Sequence, residues 1–292
     1  MSVRPVTPEG AIDCHMHVFA DPADYPPAPT RGYTPHPATI EQFQSMIQAV
    51  GLERTVFVQP SAYAADNRLM LDVMKNCPIP CRGVAVINGE TSDQALQEMA
   101  ALGVVGVRLN LESTPHDRTA SDLLEETAAR VAPLGWHVQI FANLETIVGA
   151  LPTIRATPLD IVVDHMGLAM AEKGADQLGF DNLLGAVEDG ACWVKLSGAY
   201  RVAHDAPDFK ASIPIAKRFV AANPDRLVWG SDWPHLGFHK HQKSEEDIPR
   251  AEYRPLECGR LLQTLWESCG SSEVYLKVLV DNPARLYRFA GR

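Results

Sequence analysis

No stretch of this sequence approaches the 18 or so consecutive apolar residues that a membrane-spanning helix requires. The opening MSVRPVTPEG lacks the apolar segment of a secretory signal, so a cytoplasmic location is expected. Basic residues are in deficit: 26 Lys and Arg face 36 Asp and Glu, a net charge of -10. That deficit argues against nucleic acid as a partner, because phosphate binding needs basic surface. It leaves room for an anionic small molecule, since a pocket can be locally positive on an acidic protein. No CxxC occurs, and the six cysteines are scattered among apolar neighbours, which reads as reduced thiols. Internal repeats, low-complexity stretches and an obvious linker are also missing, and nothing in the chain specifies an oligomeric state.

What is present is a long alternation of strand and helix signals. Eight apolar, β-branched runs fall at residues 11–18, 54–60, 81–87, 104–111, 136–142, 159–167, 193–200 and 226–235. Most are continuously apolar, as parallel strands covered by helices are. Helical spacing follows at 38–50, where Ile40, Phe43, Met46, Ile47 and Val50 share a face, and at 67–74, 92–102, 120–132, 144–154, 180–187, 213–222 and 256–266. Eight β-then-α units predict an α/β fold of the (β/α)8 TIM-barrel type, one domain over residues 1–292. A doubly wound open sheet is the competing architecture. It usually carries a glycine-rich turn after its first strand, and here that turn is DCHMHVF. Two connections are long, 19–37 and 236–255, and both follow strands. Loops after barrel strands build the active-site face, so these two are expected to cover it.

Chemistry-bearing residues collect at the same strand ends. His15 and His17 end the first strand two residues apart, so both imidazoles point the same way, into the barrel mouth, with Asp13 one layer deeper. Asp164 and His165 end the sixth strand, and Asp232 ends the eighth, which a closed barrel brings beside the first. Structural hydrogen bonding explains any one of these; several at strand ends point to a site. Arg108 and Asn110 end the fourth strand on one face, and Arg201 follows the seventh. A guanidinium suits bidentate binding of a carboxylate. Ser61 and His235 are further substrate-binding candidates, against turn capping and loop hydrogen bonding as the plain alternatives.

The motifs DCHMH, VQPSAYAADN, GVRLNL, VDHMG, KLSGAYR and WGSDWPH, in that order over residues 13–235, make the chain resemble the amidohydrolase superfamily. The resemblance is to the branch of 2-pyrone-4,6-dicarboxylate lactonase and related sugar-lactone and sulfomuconolactone hydrolases. It implies an amidohydrolase-type barrel, a hydrolase acting on a carboxylic ester, and a small anionic lactone as substrate. By this resemblance His15, His17 and His165 surround the lactone carbonyl, Asp232 activates water, and Arg108 and Arg201 hold carboxylate. Two positions depart from the pattern: Phe141 stands where the lactonase has a tyrosine, and Thr114 where it has a second arginine. His116 and Arg118 lie close enough in sequence to compensate.

The expected reaction is hydrolysis of a ring ester by an Asp232-activated water, with His15, His17 and His165 donating to the developing oxyanion. No metal is required in this reading. If one divalent metal binds, zinc comes first, with His15, His17, His165 and Asp232 as ligands. A binuclear centre is excluded because Arg108, near a position such centres use, has no acceptor. The other readings are a zinc-dependent hydrolase or non-oxidative decarboxylase, and a barrel that binds an organic acid without turnover.

Overall fold

The structure, a computed structural model, describes residues 6–112, 116–237 and 248–290. Eight short strands form one parallel sheet in sequence order: β1 (Ile12–Met16), β2 (Arg54–Val58), β3 (Cys81–Ala85), β4 (Val104–Asn110), β5 (His137–Phe141), β6 (Ile161–Val163), β7 (Trp193–Ser197) and β8 (Leu227–Gly230). The sheet closes through the segment just after β8. Asp232 N donates to His15 O at 2.8 Å, and His17 N to Trp233 O at 2.9 Å. This is the (β/α)8 barrel expected from the sequence. Gly230 makes the closure possible, because a Cβ there would lie 2.6 Å from the backbone nitrogen of His15.

Helices cover the outside, and local signals start them. They are α1 (Ile40–Val50), α2 (Arg68–Lys75), α3 (Asp93–Ala101), α4 (Ala120–Val131), α5 (Leu144–Ala156), α6 (Phe180–Glu188), α7 (Ala199–Val202), α8 (Ile213–Ala222), α9 (Cys258–Cys269), α10 (Ser272–Leu276) and α11 (Asn282–Leu286). Thr119 caps α4 by accepting from Asp122 N at 3.1 Å, and Asn143 caps α5 by accepting from Thr146 N at 3.0 Å. Phe43 and Ile47 of α1 join Phe57 of β2 in the main core between strands and helices. A second core of Ile12, Cys14, Val56, Val58, Val84 and Val228 takes in Tyr287 and Phe289 from the C-terminal end. Arg54 and Arg82, near the starts of β2 and β3, lay their guanidinium carbons 5.9 and 4.8 Å from the Phe289 ring. Phe289 therefore lies over the N-terminal end of the barrel, and the opposite end carries the mouth.

Several boundaries differ from the sequence expectation. The sixth strand stops at Val163, because His165, Met166 and Gly167 turn the chain with φ of 50°, 55° and 63°. The eighth stops at Gly230, and Asp232 and His235 follow with φ of 59° and 65°. The run 159–167 looked like a strand because apolar residues continue past the turn. α7, α10 and α11 are too short to show helical periodicity.

The two long loops meet over the mouth. Ala28 N donates to Ala62 O at 2.8 Å, which fastens the first loop to the turn that follows β2. Thr34 N donates to Pro249 O, and Ala251 N to Thr34 O, each at 2.8 Å. Residues 238–247 of the second loop lie outside the described residues, as does Thr114.

Candidate active site

A register shift between Asp13 and Met16 interrupts plain alternation in β1. Asp13 is tied to backbone: its Oδ1 accepts from His15 N at 3.1 Å and Ser231 N at 2.8 Å. It fastens β1 to the β8 turn. The imidazoles of His15 and His17 meet at the mouth with Nε2 atoms 3.3 Å apart. Nδ1 of His17 lies 2.7 Å from Val58 O. A carbonyl only accepts, so Nδ1 carries the hydrogen, and Nε2 of neutral His17 presents a lone pair.

Asp232 completes the group. Its Oδ2 accepts from Tyr200 Oη and Arg201 Nε, each at 2.6 Å. Its Oδ1 sits 3.6 Å from both histidine Nε2 atoms, fully buried and without a hydrogen-bond partner. Burial alone would push this carboxyl up, but Arg201 and the histidines outweigh it and hold Asp232 well below the usual carboxylate range. His165 sets its ring tilted against that of His15, centroids 4.7 Å apart, and pairs Nδ1 with Ser197 Oγ at 2.8 Å. Gly198 leaves room for it, since a Cβ there would meet His165 Nδ1 at 2.8 Å. Burial keeps His15, His17 and His165 below the ordinary histidine value, His165 down to about 3.

Beneath this layer the barrel interior holds a second polar group that sequence reading missed. Lys195 of β7 is completely buried and places Nζ 2.9 Å from Gln139 Oε1, 3.1 Å from His15 Nδ1 and 3.2 Å from Asp164 Oδ1. Asp164 Oδ2 accepts from Gln139 Nε2 at 2.9 Å and faces Arg108 Nε at 3.4 Å. Lysine is almost never fully buried unless paired, and the partners of Lys195 lie far from it in sequence, so no local signal marked it.

Above the histidines a cavity is lined by His17, Ser61, Arg108, Asn110 and Arg201. Tyr33 and Leu236, from the two mouth loops, also line it, with Phe141. The guanidinium carbons of Arg108 and Arg201 lie 5.1 and 5.8 Å from the Phe141 ring, so both cations converge on one wall. His235, expected to touch substrate, is not part of this lining. It sits edge-on to Tyr200 with ring centroids 5.9 Å apart. Arg118 lies on the surface, paired with Glu126, and does not replace an anion-binding arginine.

Two groups of three side chains could hold a metal ion among the described residues: His15, His17 and Asp232, and His15, Asp164 and His165. The first fits. Two imidazoles and a carboxylate suit zinc, and the unpartnered Asp232 Oδ1 faces both Nε2 atoms. In the second, Asp164 already faces Lys195 and Arg108, so a cation there would meet two others.

The chain as a whole is similar to known proteins. The amidohydrolase family profile (Amidohydro_2) matches residues 12–289. The chain is 35% identical over 289 residues to a 2-pyrone-4,6-dicarboxylate hydrolase of Comamonas testosteroni, covering 96% of this chain and 90% of that protein. It is 30% identical over 287 residues to a 4-sulfomuconolactone hydrolase of Hydrogenophaga intermedia, covering 98% and 91%. The crystal structure of an inferred 2-pyrone-4,6-dicarboxylic acid hydrolase from Pseudomonas putida superimposes with a TM-score of 0.78 at 30% identity, over 97% of this chain and 99% of that one.

Proposed function

The chain belongs to the amidohydrolase family, and on that premise we propose that it hydrolyses the ring ester of a small anionic lactone. The observation that carries the proposal is the buried, unpartnered Oδ1 of Asp232, facing His15 and His17 below a cavity walled by two arginines. The curated relatives with the highest identity named above are lactone hydrolases, which supports the ester as the bond attacked.

Asp232 Oδ1 takes a proton from water, and the hydroxide adds to the ring carbonyl. His17 presents a lone pair; once substrate draws the His15 Nε2–H to the carbonyl oxygen, that lone pair accepts the water's other hydrogen and fixes its orientation. That revises the expectation that all three histidines donate: the developing oxyanion falls to His15 and His165. One such donor contributes about 3 kcal/mol to barrier lowering. The ring C–O bond then breaks, and the proton on Asp232 passes to the leaving oxygen. Arg108 and Arg201 hold the substrate's anionic group and set the carbonyl over Asp232. Asn110 and Ser61 complete that wall.

If a divalent ion binds, His15, His17 and Asp232 are its ligands, and it would supply Lewis-acid polarisation there. Our reading is that turnover does not need it. Lys195, Arg108 and Arg201 already compensate the two buried carboxylates, and an activated ring ester has a good leaving oxygen. The test is a lactone panel followed by acid release. Turnover of a carboxylated or sulfonated lactone is expected. Carbon dioxide release without ester cleavage would favour the decarboxylase, and binding without turnover the organic-acid binder.

A further inference from the structure

Lys195 touches no part of the cavity, yet it contacts His15 on the ring nitrogen facing away from the mouth. Two hydrogen bonds, one on each side of the His15 ring, fix what that contact does. The first comes from below. An ammonium has N–H donors and no acceptor: Lys195 Nζ donates to Gln139 Oε1 at 2.9 Å and meets His15 Nδ1 at 3.1 Å, while Asp164 Oδ1 at 3.2 Å neutralises it as an ion pair without a hydrogen bond. An N–H aimed at His15 Nδ1 needs a lone pair there, which moves the imidazole hydrogen to Nε2.

The second comes from above. His17 is fixed by the Val58 carbonyl with its hydrogen on Nδ1, so its Nε2 is a lone pair. His15 Nε2 lies 3.3 Å from it. Two lone pairs at that separation repel, whereas an N–H facing a lone pair is a hydrogen bond. The competing tautomer, with His15 Nδ1–H on Asp164 Oδ1, has the longer distance of 3.4 Å and would set the two lone pairs against each other.

We propose that Lys195 is a positioning residue that holds His15 in its Nε2–H tautomer, so that His15 meets the mouth as a hydrogen-bond donor rather than a metal ligand. Gln139 supports it by accepting from Lys195 while donating to Asp164. The inference rests on the lactonase reading for its purpose, the oxyanion contact, but not for its geometry. It also accounts for a lysine placed under a histidine pair that would otherwise make a zinc site. A metal could bind only after His15 gives up the Nε2 hydrogen or moves it to Nδ1.

The test uses the whole protein with 15N-labelled histidine. In wild-type protein the His15 resonances, assigned by their loss in His15→Asn, are expected to show a protonated Nε2 and an unprotonated Nδ1. The reverse pattern overturns the proposal, and this arm needs no lysine variant. In Lys195→Met the hydrogen is expected to move to Nδ1, toward Asp164. Zinc affinity, measured by chelator competition, is then expected to rise about tenfold, the lower end of what partners of metal-ligating histidines control. With substrate, kcat should fall at least about tenfold while KM stays within about twofold, as for an interaction made only in the transition state. Unchanged tautomer and zinc affinity in a folded Lys195→Met overturn the assignment to Lys195. The spectral and zinc arms involve no substrate, so they remain decisive if the lactone reading itself fails.

Discussion

The backbone amide of Asp232 donates to the carbonyl of His15, so the hydrogen bond that closes the barrel also sets the carboxylate against the histidine pair. Asp232 does not reach its partners through a flexible side chain. It is held there by the closure itself, in a left-handed backbone conformation that a non-glycine residue rarely adopts.

Asp232→Asn keeps the shape and the closing amide, so it should fold. Loss of the basic oxygen should lower kcat by about 10²- to 10⁴-fold, the range for a general base. Circular dichroism and steady-state kinetics on the best lactone decide it; near wild-type kcat removes Asp232 from the base role.

Arg108→Met should raise KM for an anionic lactone by about 10- to 100-fold and barely change it for a neutral one, because a charge-assisted contact is lost. Arg201→Met should raise KM and also lower kcat, since Arg201 donates to Asp232 Oδ2 as well as walling the cavity. Its place in α7 and its bond to Asp232 give Arg201 a part in holding the base as well as the substrate. Equal losses on both lactones would make the arginines structural.

Protein stripped of transition metal by a chelator, and verified metal-free, should retain lactonase activity. Activity that falls in proportion to metal removed, and returns with zinc, would make His15, His17 and Asp232 ligands in the working enzyme.

Stability should fall as pH drops below about 6.5. Burial holds His137 and His165 at about 3 and His235 at about 4 in the folded chain. The unfolded imidazoles take a proton near 6.5. Between these values the unfolded state binds more protons, so acid favours it, by up to about 1.4 kcal/mol per group per pH unit. Asp164 and Asp232, held low in the fold, add in the same direction below the ordinary carboxylate value. Urea midpoints at pH 7.5, 6.0 and 5.0 read this directly; a flat series would contradict it.

The barrel and the upper layer of the site were legible because polar residues stand out at the ends of apolar runs. His15, His17, Arg108, His165 and Asp232 each follow such a run, and parallel-strand logic brings those ends together. The lower layer was not legible. Lys195 and Gln139 are single polar residues inside strands, and the two partners lie 56 residues apart in sequence. Nothing local tells a paired interior lysine from an outward-facing one. Tyr33 escaped for a different reason: it sits in a proline-rich loop without periodicity, and only the loop's path brings it to the cavity. His235 was placed in the cavity by proximity in sequence, and the turn at Asp232 directs it to Tyr200 instead.

The pairing of Thr34 with Pro249 and Ala251 has a consequence for engineering specificity. The roof of the cavity is one sewn piece made from two distant stretches of chain. Exchanging the first loop with that of a relative would tear the seam and leave Tyr33 without its frame. A chimera that carries both loops together would keep the seam, and only that pairwise exchange is expected to transfer substrate preference intact.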